Sequence, residues 1–476
     1  MSLIANKFLK HLEEDKDKFF FYTFDQKLNG HQCLDLIREI ELFLKKNSIQ
    51  TVAISAKNSI FWPIFYVAAK LASKDIFIFD PNLPSTDANI AIDKYYIDCI
   101  FLDLNLENGF DESALTIHKS NAGKRYLSGQ SHDILFTSGT TAEPKGVVIS
   151  EQSYLHVAST LVNKLNQLSS DFELLSMPFY HSFGLTRLRA SLLTGNSSFI
   201  SDGLKKFPEI YSFSKSHSFT GLSFVPSAIE IIKGLLRSKA KDFASKIRYI
   251  EIGSSSISDE SRKWLREYFI DSNVIHHYGM TECSRAFIRD RGAKDNFDID
   301  DSWLGNPLDG CDFKILDNPE EGELLLKGKN LFSGYLQTKL NQEKMHDGWL
   351  KTGDVCKVQN GKVFLMGRTD NQINIGGEKI QAEKVELIIE SLIPVKGCIC
   401  FGVDDSILGS KLLALISISK AGDQKNIADF RITLNQVFAE YPSFYKPSSI
   451  IFIDEIPLTH NGKKTRNAQT LLGFQK

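Results

Sequence analysis

Between Thr137 and Gly146 the chain places four hydroxyl side chains (Thr137, Ser138, Thr140, Thr141), Gly139 and Lys145 within ten residues. Hydroxyls and free backbone N–H groups are donors that wrap phosphate oxygens, and a lysine adds a point charge. The same residue types also make an ordinary polar hairpin loop, although the stretch is long and donor-rich for one. Its spacing is not G-x-x-x-x-G-K-[ST], which argues against a P-loop kinase or motor. A second stretch, Tyr278-Gly279-Met280-Thr281-Glu282, directly follows an apolar run. A carboxylate beside phosphates needs a cation between them, so Glu282 is a candidate Mg2+ ligand; a surface turn has the same composition. A third pairs Thr352-Gly353-Asp354 with Gly367-Arg368-Thr369-Asp370. There Asp354 can accept two hydrogen bonds from a ribose diol, and Arg368 can hold a phosphate or the ribose. The fourth, Pro457 to Lys464, contains Gly462-Lys463 and taken alone is a solvated turn.

These stretches follow candidate strands. Thr51–Ser55, Ile76–Phe79 and Cys99–Leu102 have strand character, and Ile60–Leu71 and Asp87–Tyr96 have helix character. That alternation is the rhythm of a parallel sheet covered by helices. Asp133–Phe136, Val147–Ile149, Leu174–Met177, Gly221–Val225, Ile247–Ile252 and Val274–His277 continue the strands. Ligands of open α/β sheets sit beyond the carboxyl ends of strands. After about Gly310 the pattern turns to short antiparallel strands, with a turn at Asn360-Gly361. Beyond Asp370, strands at Lys396–Val403, Leu412–Ser419 and Ser448–Asp454 and helices at Lys384–Ser391 and Ile427–Phe438 form a separate unit. The expected fold is α/β. A large N-terminal domain of several subdomains with parallel-rich sheets spans residues 1–369, and a small C-terminal α+β domain spans 370–476.

The whole chain excludes several classes. It has 476 residues, 42% of them apolar and 24% charged, and a net charge of −2. That balance carries no basic excess for nucleic acid. The longest apolar run, Ile60 to Ala69, is roughly half the length a membrane span needs. The seven cysteines have no zinc-type spacing, and Cys398 and Cys400 would share one face of a strand. Reduced thiols and the lack of a targeting segment point to the cytoplasm.

The four stretches, in this order and spacing, resemble the ANL superfamily of adenylate-forming enzymes: acyl- and aryl-CoA synthetases, peptide-synthetase adenylation domains and luciferases. The resemblance implies that Thr137, Ser138, Gly139, Thr140, Thr141 and Lys145 cradle the phosphates of ATP. Ala142 stands where the family commonly has glycine. It implies that Gly253, Ser254 and Ser255 form the adenine turn, that Tyr278 stacks on the base beside Gly279, and that Thr281 contacts the α-phosphate. Glu282 and Thr137 would hold Mg2+, Asp354 and Arg368 would meet the ribose, and Asp370 would be the hinge between domains. Lys463 matches the lysine that reaches both the carboxylate and the α-phosphate. Gly377, Glu378 and Lys379 would belong to a second face used for thioester formation with coenzyme A.

Met177-Pro178-Phe179-Tyr180-His181-Ser182-Phe183-Gly184 matches the family's Pro-x-x-His-x-x-Gly segment, which enters the acyl pocket with His181 beside the substrate carboxylate. His181 by itself also fits a core histidine. Relatives that activate amino acids carry an Asp just after the aromatic residue; none occurs between Met177 and Leu193, which disfavours an α-amino acid. Arg187 and Arg189 follow on a helix, either solvated or ion-paired, or with one reaching a second carboxylate of the substrate. The implied activity is ATP-dependent activation of a small-molecule carboxylic acid, fatty, aryl or another non-amino acid, to an acyl-adenylate, then transfer to coenzyme A. The alternative is loading of a carrier protein in trans.

Overall fold

The structure is a computed structural model that describes residues 2–82, 92–95, 97–101, 115–117, 131–137, 145–290, 302–316, 318–375, 378–392, 395–405, 408–418, 424–458, 464–465, 471 and 473. The chain packs as two compact units. The larger comprises residues 1–313 and 326–350; the smaller comprises 314–325 and 351–476.

The larger unit holds two sheets. In the first, a parallel series runs Phe19–Tyr22, Ser197–Ile200, Phe172–Leu175, Gly221–Phe224, Tyr249–Gly253, Asn273–Tyr278. Antiparallel strands close it at both ends. In the second, Asp133–Thr137, Asp75–Ile78, Thr51–Ile54 and Cys99–Phe101 are parallel, and antiparallel strands again flank them. Parallel strands covered on both faces become continuous apolar runs, and Thr51–Ile54 and Asp75–Ile78 are buried throughout.

The Ser182–Thr194 helix is buried from Phe183 to Leu193 and shares one core with Trp62, Phe65 and Tyr66. A helix buried on all sides needs no amphipathic stripe. It starts at His181, whose φ of −109° and ψ of 148° are extended, and stops at Gly195, whose φ of 69° is left-handed. Gly184 has no room for a side chain: a Cβ there would lie 2.2 Å from the Pro178 carbonyl oxygen and 2.5 Å from that of Met177. The Pro-x-x-His-x-x-Gly spacing is therefore the close approach of one helical turn to the backbone that leads into it.

The smaller unit contains an antiparallel pair, Trp349–Gln359 and Lys362–Arg368, joined at Asn360-Gly361, where both φ angles are positive (52° and 71°). This is the two-residue hairpin that Asn-Gly favours. A second sheet has the order Glu378–Gln381, Gln372–Ile375, Gly409–Ile418, Val395–Asp405, with Ser449–Ile453 parallel to Gly409–Ile418. Helices Ala382–Glu390 and Gln424–Phe438 complete an α+β unit. No helix among the described residues is long and apolar enough to cross a membrane. None of the seven cysteines forms a disulfide, and Cys398 and Cys400 do share a face, with their sulfurs 3.8 Å apart.

Candidate active site

The phosphate stretch is the connection of an antiparallel hairpin. Asp133–Thr137 and Lys145–Ile149 pair in register, with Thr137 opposite Lys145. Ser138, Gly139, Thr140 and Thr141 lie outside the described residues, as does Ala142; Lys145 is half-buried. The hairpin strands are present, and the residues expected to hold phosphate fall in the connection between them. At the root of this hairpin sits Asp133, fully buried. Lys70 Nζ lies 2.6 Å from its Oδ1, Tyr66 donates its hydroxyl to Oδ2 at 2.7 Å, and Arg189 donates to Oδ2 as well. Burial pushes the Asp133 carboxyl up, and Lys70 and Arg189 more than offset this, leaving it below its ordinary value.

Two strand ends and one helix start meet in the first sheet. Gly253 ends the Tyr249–Gly253 strand opposite His277, one residue before Tyr278. A Cβ on Gly253 would lie 2.0 Å from the His277 ring, so only glycine lets the turn start there. Ser254 and Ser255 are exposed, and His276 Nε2 donates to the Ser255 carbonyl at 3.0 Å. The Phe183 ring stands edge-on to His277 with centroids 4.7 Å apart, and Tyr180 packs on His181 at 4.6 Å. The His181 segment, the Gly253 turn and the Tyr278 segment thus converge around one imidazole. Tyr278 and Thr281 are half-buried and Gly279 is exposed.

Glu282 is held from two sides. Tyr335 donates its hydroxyl to Glu282 Oε1 at 2.7 Å, and the Phe332 N–H donates to the Glu282 carbonyl at 2.7 Å. A half-exposed carboxylate held in place suits a hard cation that keeps most of its ligands from phosphate and water, as Mg2+ does. Among the described residues no group of three or more His, Cys, Asp or Glu could form a protein-only metal cage.

Beneath this floor lies a buried ion network. Arg187 grips Glu173 with Nε and Nη2, both at 2.8 Å, and its Nη1 lies 3.4 Å from Glu251. Arg285 donates Nε to Glu251 Oε1 at 2.7 Å, and His277 Nδ1 is 2.8 Å from the same oxygen. Burial alone raises the Glu251 carboxyl, but Arg285, His277 and Arg187 hold it well below the usual carboxylate range. Burial, then Arg285, lower His277 to about 4, so it is neutral at pH 7. Of the readings open for Arg187 and Arg189, ion pairing is the one found, and solvation or a second substrate carboxylate is corrected. Both are buried and both are committed to protein carboxylates.

In the smaller unit Asp354 and Arg368 are cross-strand partners, and Arg368 Nη1 donates to Asp354 Oδ1 at 2.7 Å. Arg368 Nη2 also lies 3.6 Å from Asp370 Oδ2, so one guanidinium joins the two acids. Asp370 is exposed in the short 3-10 turn Thr369–Asn371. Glu378 is exposed, at the start of its strand, while Gly377 and the side chain of Lys379 lie outside the described residues. Lys463 lies outside them too; Lys464 is described.

Residues 8–336 match the family model described as AMP-binding enzyme, and residues 384–463 match that of the AMP-binding enzyme C-terminal domain. The chain belongs to the AMP-binding enzymes. Within that family it is 28% identical to a 2-succinylbenzoate–CoA ligase of Bacillus pumilus, over 72% of this chain and 70% of that protein. It is 25% identical to bacitracin synthase 2 of Bacillus licheniformis, over 93% of this chain and 18% of that protein. Its fold matches the o-succinylbenzoate CoA synthetase of Bacillus subtilis, solved with an acyl-adenylate intermediate. That match has a TM-score of 0.79 and 20% identity, covering 98% of this chain and 97% of that one. This AMP-binding enzyme belongs to the adenylate-forming superfamily.

Sequence reasoning missed the supports of this AMP-binding site. Asn58 accepts from the Phe179 N–H at 2.8 Å and donates to the Met177 carbonyl at 2.9 Å, fixing the turn before His181. Tyr335, Arg285 and Glu251 are likewise far in sequence from the groups they hold. A lone Asn or Tyr carries no local pattern that would single it out.

Proposed function

We propose that this enzyme activates an aryl or other non-amino carboxylic acid, with 2-succinylbenzoate as the first candidate, and passes the acyl group to coenzyme A. The observation that supports the reading most is the convergence of the His181 segment, the Gly253 turn and the Tyr278–Glu282 segment on His277. That convergence supports reading Gly253 as the start of the base-binding turn, Tyr278 as the stacking ring, Glu282 as the cation ligand and His181 as the acyl-pocket histidine. The sequence between Met177 and Leu193 offers no carboxylate for a substrate ammonium. The 2-succinylbenzoate–CoA ligases among its relatives suggest the acid.

In the first step an oxygen of the acid carboxylate bonds to the α-phosphorus, and pyrophosphate leaves with the bridging electron pair. Thr137, Ser138, Gly139, Thr140, Thr141 and Lys145 hold the departing phosphates. Gly253, Ser254, Ser255 and Tyr278 hold the adenine, with Gly279 close by, and Asp354 with Arg368 holds the ribose. Glu282, with Thr137, would hold Mg2+, which neutralises phosphate charge when bound. Thr281 and Lys463 donate to the α-phosphate, and Lys463 also meets the attacking carboxylate. Alignment of the two reactants supplies much of the remaining acceleration. In the second step the coenzyme A thiolate, its proton already given to solvent, bonds to the acyl carbon beside His181, and AMP leaves with the electron pair of the broken acyl C–O bond. Rotation about Asp370, at the boundary between 1–369 and 370–476, exchanges Lys463 for the Gly377-Glu378-Lys379 face. Buried cysteines without disulfides and a need for ATP and coenzyme A favour the cytoplasm.

A second reading is transfer to a carrier protein in trans. The bacitracin synthase similarity favours it, because it spans more of this chain than that of the ligases. ATP–pyrophosphate exchange across fatty, aryl, dicarboxylic and amino acids, followed by coenzyme A or a phosphopantetheinyl carrier as acceptor, tests both. Exchange with amino acids alone would overturn the acid assignment, and transfer to carrier only would favour the second reading.

A further inference from the structure

Val395–Asp405 is an edge strand, paired with Gly409–Ile418 on one side only. Residues two apart on a strand direct their N–H groups the same way, and an edge leaves such groups without a partner strand. Here the Cys398 N–H donates to Glu390 Oε1 at 2.9 Å, and the Cys400 N–H donates to Glu386 Oε1 at 2.7 Å. Glu386 and Glu390 are four residues apart on the Ala382–Glu390 helix, so they share a face, and like charges at that spacing repel. One cation lies between them. Lys464 Nζ donates to Glu386 Oε2 at 2.9 Å and to Glu390 Oε1 at 2.7 Å.

Lys464 also forms a β-bridge with Leu458, and the Thr465 N–H donates to the Pro457 carbonyl at 2.9 Å. The Leu458–Lys464 bridge is therefore fastened through one ammonium group to two carboxylates that also hold the edge strand. The same helix reaches the region of the hinge: Asn371 Nδ2 donates to Glu383 Oε1 at 2.5 Å. One helix thus ties the turn after Arg368 to the residue that follows Lys463.

We propose that Lys464 is a positioning residue: by bridging Glu386 and Glu390 it fixes the backbone next to Lys463 on the helix that follows Asp370, so that Lys463 is presented for adenylate formation and moves with that helix as one body. This rests on the assignment of Lys463 above. The proposal predicts an effect on one half-reaction, because the lysine is needed to form the adenylate and is withdrawn before thioester formation.

The test compares the full-length wild-type enzyme with Lys464→Met, Lys464→Arg and Glu390→Gln. ATP–pyrophosphate exchange uses 2-succinylbenzoate, or the acid from the panel that wild type exchanges fastest. Wild-type exchange and Lys463→Ala test the underlying assignment before Lys464 is judged. Lys464→Met is expected to lower the kcat of exchange by about 10²-fold, with KM for ATP and acid nearly unchanged. Thioester formation from supplied acyl-adenylate should keep its wild-type rate. Lys464→Arg, which still spans both carboxylates, should recover most of the loss, and Glu390→Gln should fall between. Backbone amide exchange at Lys464 and Thr465 should quicken in Lys464→Met and not in Lys464→Arg, a readout that needs no acid. Equal loss in both half-reactions, no loss in either, or unchanged amide protection in Lys464→Met would overturn the proposal.

Discussion

Arg187 and Arg189 leave the same helix toward different sheets. Residues two positions apart on a helix differ by about 200° in direction. Arg187 therefore reaches Glu173 and Glu251 on the strands of one sheet, and Arg189 reaches Asp133 on the other. The helix between them begins at His181. The segment proposed to meet the acid and the hairpin proposed to hold the phosphates are thus fastened to one element.

The two arginines should differ in what their removal costs. Arg187→Met leaves Glu173 buried without its arginine and Glu251 with Arg285 and His277, and should lose about 3–5 kcal/mol. Arg189→Met leaves Asp133 still paired with Lys70, so its loss should be smaller. Denaturant unfolding of the two variants checks the order; a larger loss for Arg189→Met would refute it.

His277 makes stability depend on pH. Its folded pKa is lowered to about 4, against 6.5 ordinarily, by burial and then by Arg285. The unfolded chain therefore binds the extra proton in that interval. The stabilisation is complete above pH 6.5 and is lost as the pH falls toward 4, a total of roughly 3 kcal/mol. His277→Gln should flatten this part of the stability–pH curve, and an unchanged slope would count against it.

Ser254 holds a φ of 88°, which strains any residue with a Cβ. Ser254→Gly should relieve that strain, partly offset by the greater freedom of glycine in the unfolded chain, for a net gain of up to about 1 kcal/mol. Thermal melting reads the outcome; a lower midpoint would show that the serine side chain contributes more than the strain costs.

Tyr335→Phe removes the hydroxyl that holds Glu282 Oε1. A hydrogen bond to a charged group is worth about 1.5–3 kcal/mol. The Mg2+ concentration giving half-maximal pyrophosphate exchange should rise by roughly ten-fold or more, with thermal stability less affected. An unchanged Mg2+ dependence would remove Glu282 as the cation ligand.

Lys463→Ala should reduce adenylate formation by about 10²–10³-fold, the usual effect of losing one donor to a developing charge. Thioester formation from supplied adenylate should persist. Retention of full exchange activity would reassign that lysine.

Much of the architecture was legible because parallel strands buried on both faces must be apolar runs. Thr51–Ile54, Asp75–Ile78 and Asn273–Tyr278 fall where those runs are. The Asn360-Gly361 turn was legible because it requires positive φ twice. The partners of the two arginines were not. A charged residue in a sequence has the same letter whether water or a buried carboxylate solvates it, and Arg187 and Glu173 are fourteen residues apart.

The sequence by itself determined the chemistry. The phosphate hairpin, the Tyr278–Glu282 segment, Asp354 followed by Arg368, and Lys463 pointed to an adenylate-forming enzyme through their order, which resembles that family's and can be read along the chain without knowing any contact. Only the tertiary structure decided what holds those groups still. Tyr335 on Glu282, Asn58 on the turn before His181, the Arg187–Glu251–Arg285 network and Lys464 on Glu386 and Glu390 all join residues distant in the chain. The physical reason is that positioning is done by pairwise contacts whose partners are set by packing, and local sequence carries only one member of each pair.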